Sequence, residues 1–189
     1  MKTIGVLALQ GAFKEHIHHI VSLGHKGIEV RTADQLNAVD ALILPGGEST
    51  VMGKLINDFS LKEPLQSRIH SGMPVWGTCA GMILLADTIE GTEVSHLGTM
   101  GMTVRRNAYG RQLDSFITNE PIASVSDNPV PLVFIRAPFI VSTSKDVETL
   151  HKVNGDVVAA RQGNMLATSF HPELTEDTSF LRYFIGMID

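Results

Sequence analysis

A single cysteine, Cys79, stands in this sequence of 189 residues. No intramolecular disulfide can close, so the fold must rest on its apolar core, and a reducing compartment, the cytoplasm, is the expected setting. Basic charge is sparse and scattered: 15 Lys and Arg against 20 Asp and Glu leave a formal net charge of −5. Readers of a phosphate backbone carry clustered basic surface, so no nucleic acid is expected as a partner. No apolar run approaches the roughly 18 residues of a membrane span, and the run over 4–9 is too short for a secretion-signal core. Neither a membrane nor a secretion route is expected. Repeats, low-complexity tracts and linkers are also missing, which predicts one domain over residues 1–189. What is present, 43% hydrophobic and 19% charged residues, is the composition of an ordinary globular protein.

The apolar pattern changes midway along the chain. Residues 3–9 form a continuous apolar run ending at Gln10-Gly11, the pattern of a strand buried on both faces. Phe13, Ile17, Ile20, Val21 and Leu23 follow at helical spacing, and Gly24 supplies a stop. Short strands are predicted over 28–31 and 41–44, the second bounded by Pro45-Gly46-Gly47. Ser49 is placed to cap a helix beginning near Thr50, and Ser60 with Glu63 has capping-box spacing, with Pro64 limiting where that helix starts. Residues 73–77 predict another buried strand, followed at once by an apolar helix over 80–86.

Strands and helices alternating in this way imply an α/β fold with a parallel sheet covered on both faces. From about residue 100, short β-like runs replace the alternation, over 102–105, 133–135, 140–142, 149–153 and 157–160. The last two flank Asn154-Gly155, a hairpin signal because both residues tolerate the positive φ of a type I′ turn. The second half is therefore expected to add antiparallel strands. A final helix over 178–188 puts Phe180, Leu181, Phe184, Ile185 and Ile188 on a face that packs back on the sheet.

Three motifs carry chemistry. Gly77-Thr78-Cys79-Ala80-Gly81 sits between a predicted strand and a predicted helix, in the form of a nucleophile elbow with cysteine in place of serine. Such a turn lifts the nucleophile out of the sheet, and the unpaired N–H groups at the helix start favour negative charge there. The bland reading is a buried cysteine acting as a small hydrophobe. His171-Pro172-Glu173 offers a proton carrier with a carboxylate two residues away. In an extended segment these two side chains share one side, so Glu173 is placed to hold one ring nitrogen and leave the other for the sulfur. Both motifs follow apolar runs, and groups at the carboxyl ends of strands in an open α/β sheet gather at one edge. Pro45-Gly46-Gly47-Glu48-Ser49 follows a third strand, where backbone N–H groups can turn toward an anion or an oxyanion, although Pro-Gly-Gly alone is also a plain tight turn. His16, His18 and His19 lie in one predicted helix; His16 and His19 have i, i+3 spacing, but without a completing ligand they read as a solvated face, and no metal site is assigned.

Together these motifs resemble the class I, or triad, glutamine amidotransferases. The likeness extends through residues 4–11, 45–50, 105–112, 134–138 and 160–164, and over these blocks the chain is similar to the glutaminase-subunit family of pyridoxal 5′-phosphate synthase. The resemblance implies a three-layer flavodoxin-like, mostly parallel sheet bearing a Cys79, His171, Glu173 triad, with no cofactor. It places Gly47, Glu48, Ser49, Arg106, Ile135 and Arg136 at an L-glutamine site, where a guanidinium suits the α-carboxylate. For the oxyanion, the N–H of Ala80 follows from elbow geometry and that of Gly47 from the glycine turn. The implied partner is a (β/α)8-barrel synthase subunit in a large hetero-oligomer, docking near Gln10 and Gly11. Two other readings stay open on the residues alone: a triad glutaminase serving another synthase, and a non-catalytic flavodoxin-like binding or redox-sensing module built around Cys79.

Overall fold

A computed structural model of the chain describes residues 1–106 and 115–189. Its first half alternates strands and helices: β1 (Thr3–Leu7), α1 (Phe13–Ser22), β2 (Lys26–Val30), α2 (Ala33–Asn37), β3 (Ala41–Leu44), α3 (Ser49–Asp58), α4 (Lys62–His70), β4 (Val75–Thr78) and α5 (Ala80–Leu85). The second half is mostly strand: β5 (Ala86–Ile89), β6 (Met100–Arg105), β7 (Ser115–Glu120), β8 (Val130–Ile135), β9 (Phe139–Thr143), β10 (Glu148–Val153), β11 (Asp156–Gln162) and β12 (Met165–Thr168). A 3₁₀ turn, Pro172–Leu174, and helix α6 (Ser179–Ile185) follow.

Strands β2, β1, β3, β4 and β12 lie side by side in that order and are all parallel. This is the doubly wound order of a flavodoxin-like sheet, with β12 as its fifth strand. The sheet continues through β11, β9, β6 and β5 with antiparallel pairings from β12 to β6, and β10 adds to β11. Asn154 and Gly155 join β10 to β11 at φ 53° and 91°, the positive values expected of the Asn-Gly turn. Strands β7 and β8 form a separate antiparallel ribbon.

Alternate residues of the central strands feed two cores, as the two-residue period of a strand requires. Leu42, Leu44, Val75 and Ala167 pack with α2 to α5 on one face. Ile4, Val6, Ile43, Trp76 and Leu166 pack with α1, α6 and the β8 strand on the other. On this second face Trp76 lies 5.6 Å from Phe184 and 6.3 Å from Phe180, and its indole N–H donates to the Thr168 hydroxyl at 3.0 Å. A buried indole with its N–H satisfied gives a stiff floor beneath the end of β4.

Several local expectations are corrected. Ser49 lies inside α3, and its cap is Glu48, whose carboxylate accepts from the Val51 N–H at 2.9 Å. Ser60 and Glu63 form no capping box; α4 starts after Leu61 without a side-chain cap, and Ser60 adopts φ 56° in the connecting turn. The true capping box is Thr32 with Gln35, opening α2. Val21, expected on the apolar face of α1, is exposed, and Ile20 and His16 are the residues buried there. Pro172 and Glu173 are in a 3₁₀ turn rather than an extended segment, which follows from proline's fixed φ at the first turn position.

Candidate active site

Cys79 occupies the N-cap position of α5 with φ 49° and ψ −104°, a sparsely populated positive-φ conformation that a non-glycine residue adopts at a cost of about 1–3 kcal/mol. The strain therefore sits on the cysteine itself. Its flanking glycines serve close packing instead. A Cβ on Gly77 would collide with the Gly81 carbonyl, and a Cβ on Gly81 with the Leu44 carbonyl, so α5 starts hard against β3 and β4. The Cys79 N–H donates to the Thr168 carbonyl at 2.8 Å, pinning the elbow to β12. Ala80 is the first residue of α5, where backbone N–H groups have no partner within the helix.

His171 follows β12 by three residues, and its N–H donates to the Val133 carbonyl at 2.8 Å, fixing it against β8. Its Nδ1 lies 2.7 Å from Oε1 of Glu173, whose side chain is fully buried. Burial opposes charge on the imidazole, but hydrogen bonding to Cys79 and to Glu173 outweighs it and raises the His171 pKa to about 10. The ring therefore holds a proton at neutral pH, between a sulfur and a carboxylate. Burial likewise opposes the Glu173 charge, and the hydrogen bond from His171 prevails and keeps its carboxyl below the usual range. This is the arrangement of a nucleophile with an oriented proton carrier.

The Gly46-Gly47 loop closes the other side. Gly46 faces the His171 ring, and its carbonyl accepts from the Ala12 N–H at 3.0 Å. The Glu48 N–H donates to Oε1 of Gln10 at 2.9 Å. The loop after β1 thus holds the loop after β3.

These groups open into one cavity of about 920 Å³. Its lining brings together Cys79, His171, Glu173, Gly47, Ala80, Glu48, Ser49, Arg106, Ile135, Arg136, Gln10 and Gly11, so every site residue singled out from the sequence borders the same space. Residues 107–112 of the Arg-Arg-Asn block lie outside the described residues. The two adjacent arginines differ. Arg105 is paired with Glu90 and lies 5.3 Å from the Phe139 ring centroid. Arg106 donates to the Thr50 hydroxyl at 3.2 Å and, among the described residues, pairs with no carboxylate. Arg136 stands at the cavity wall with φ 42°, a strained backbone that no sequence signal marks.

The solvated-face reading of the helix histidines fails for His16. It is 3% exposed, with Nε2 lying 3.5 Å from Oε2 of Glu173, whereas His18 is exposed and His19 half-buried. The signal was available: residue 16 is three positions after Phe13 and four before Ile20, on the apolar side of the helix. Among the described residues no helix is long and apolar enough to cross a membrane.

Comparison with known proteins agrees with this geometry. The sequence profile of the SNO glutamine amidotransferase family matches residues 6–189. The chain is 53% identical over 189 residues, covering all of both chains, to a protein of Ruminiclostridium cellulolyticum named pyridoxal 5′-phosphate synthase subunit PdxT. It is 54% identical over 183 residues, 97% of each chain, to a protein of the same name from Clostridium kluyveri. A crystal structure described as a glutamine amidotransferase superposes with a TM-score of 0.93 at 42% identity, over 98% of each chain. PurLQS from Thermotoga maritima, at 15% identity and a TM-score of 0.70 over the whole of both chains, shares the fold.

Proposed function

This chain belongs to the SNO glutamine amidotransferase family, and from that premise we propose that it is the glutaminase subunit of a pyridoxal 5′-phosphate synthase, hydrolysing L-glutamine to L-glutamate and ammonia. The observation that carries the chemistry is Cys79, strained at the start of α5, bordering the same cavity as a His171 ring whose Nδ1 is held by Glu173 at 2.7 Å.

In this reading the proton of the Cys79 thiol already resides on His171, and the sulfur attacks the carboxamide carbon of glutamine. The carbonyl electrons move to oxygen, and the N–H groups of Gly47 and Ala80 bind the oxyanion. As the oxyanion collapses the C–N bond breaks, and His171 passes its proton to the departing nitrogen, which leaves as ammonia. A glutamyl thioester remains. Water, deprotonated by His171, attacks it, the C–S bond breaks, and glutamate leaves with the thiol restored. Glu173 orients the ring and stabilises its charged form through both steps. Glu48, Ser49, Arg106, Ile135 and Arg136 hold the rest of the substrate.

The unit is a single domain over residues 1–189, working in the cytoplasm without a cofactor. Ammonia released into neutral water is mostly protonated and no longer a nucleophile, so the acceptor chemistry belongs on a bound partner. The names of the Ruminiclostridium and Clostridium relatives point to a synthase, and we assign it the (β/α)8-barrel form in a large hetero-oligomer. Gln10 and Gly11 belong to the docking surface, because they border the cavity and touch the Gly46-Gly47 loop. A partner that binds one arrangement of that loop better than another shifts its population and hence the rate. The test is glutamine hydrolysis by the purified chain with and without the synthase. Weak turnover alone and strong stimulation by the synthase are expected, with stimulation lost in Gln10→Lys. Full turnover alone, unchanged by the synthase, would sink the partner role, and turnover retained by Cys79→Ala would sink the triad.

A further inference from the structure

His16 lies outside the machinery described above, yet it touches two parts of it. Its Nε2 is 3.3 Å from the hydroxyl of Thr78, the residue before the nucleophile, and 3.5 Å from Oε2 of Glu173. Glu173 has one oxygen committed to His171 and is buried from water, so its second oxygen needs a donor. That oxygen makes no hydrogen bond among the described residues, and Nε2 of His16, 3.5 Å away, is a polar atom positioned to supply one. The ring is held in place by Trp76, which meets it edge-on at 6.0 Å and 72°.

We propose that His16 is a positioning residue of the triad: its Nε2–H, shared between Oε2 of Glu173 and the Thr78 hydroxyl, fixes the carboxylate that orients His171. The inference rests on the triad reading and extends it by one helix, tying α1 to both β4 and the His-Pro-Glu turn. Burial keeps the His16 pKa below the ordinary histidine range although Glu173 pulls it up; His19 and His171 add to the lowering, and Glu15 weakly opposes it. His16 is thus a neutral donor, and the cation beside Glu173 is His171. A second cation here would draw the carboxylate away from the catalytic ring.

Two variants, assayed with the synthase present, separate this role from packing. His16→Phe keeps an aromatic ring against Trp76 and removes the donor; His16→Gln keeps an N–H donor. His16→Phe should lower kcat about 10- to 100-fold, the range for losing one hydrogen bond to a charged group, with KM within about twofold. It should also move the acidic limb of the pH profile to higher pH, because a Glu173 without its second donor protonates more readily. His16→Gln should recover part of both. His16→Phe with wild-type kcat and pH profile overturns the proposal, as does a loss of kcat that leaves the limb in place and is not rescued by glutamine. Should both variants misfold, nitrogen NMR of the wild-type ring decides: Nε2 must carry the proton across about pH 6 to 8, and a ring protonated only at Nδ1 overturns the assignment. An inactive Cys79→Ala beside an unchanged His16→Phe sinks this inference alone, whereas an active Cys79→Ala sinks the triad beneath it.

Discussion

The imidazole of His171 occupies the space that a side chain on Gly46 would fill: a Cβ built there falls 2.5 Å from Cε1 and 2.9 Å from Nδ1 of the ring. The loop carrying the proposed oxyanion donor and the proposed proton carrier are therefore packed backbone against ring. Gly46 does not sit in the left-handed region, so Gly46→Ala is expected to fold. The added methyl should push the ring off the sulfur and lower kcat by about 100-fold, the scale of a displacement near 1 Å. Steady-state turnover beside a thermal melt checks this; a stable variant with wild-type kcat would show that the ring relocates freely.

At Cys79 the positive-φ backbone separates two substitutions that are chemically equal. Cys79→Ala and Cys79→Gly both remove the sulfur, and both should abolish hydrolysis. Glycine relieves the φ of 49° whereas alanine does not, so Cys79→Gly should be the more stable of the two by about 1 kcal/mol. Denaturant titration of the pair measures the difference. Equal stability would mean that the elbow relaxes once the sulfur is gone.

The raised pKa of His171 makes stability depend on alkaline pH. A group whose folded pKa is about 10 against 6.5 in the free side chain contributes stabilisation that is complete below 6.5 and lost as pH rises through 10. Glu173 acts in the opposite sense: its lowered pKa adds stabilisation present above 4.5 and lost as pH falls through the folded value. The denaturation midpoint of the wild type should fall between pH 6.5 and 10. In His171→Asn that slope should flatten. Parallel slopes in the two proteins would place the alkaline titration elsewhere.

Arg105 and Arg106 are adjacent in sequence and different in company. Both border the cavity, but Arg105 is already paired with Glu90, whereas Arg106 has a neutral hydroxyl as its partner among the described residues. Arg106→Ala should therefore raise KM for glutamine by about 10-fold or more, the loss of one charge-assisted contact, and Arg105→Ala by much less. Glutamine saturation curves for the two variants give the comparison, and the reverse order would exchange their roles.

Much of the site was legible because its signals are local. Residues 41–44 form a strand with the predicted bounds, and both the elbow at Cys79 and the Asn154-Gly155 turn are set by residues within a few positions of one another. Helix starts are less legible in the sequence. Ser49 and Ser60 have the right chemistry for caps, but Glu48 and the turn at Ser60 took other geometries once α3 and α4 packed on the sheet. The His-Pro-Glu segment reached the predicted pairing through a turn rather than a strand, since proline fixes one dihedral and leaves the neighbouring ones to context.

By itself, then, the sequence determined the alternation of strands and helices, the nucleophile with its flanking glycines, and the pairing of His171 with Glu173, because each depends on spacing along a few residues. Only the tertiary structure decided that three strand ends separated by up to 126 residues, from Pro45 to His171, meet at one cavity. It also decided that His16 is buried against Glu173, and that of two neighbouring arginines one is already neutralised. These are relations between distant segments, created by sheet order and core packing, and no local pattern encodes which side chain will face which.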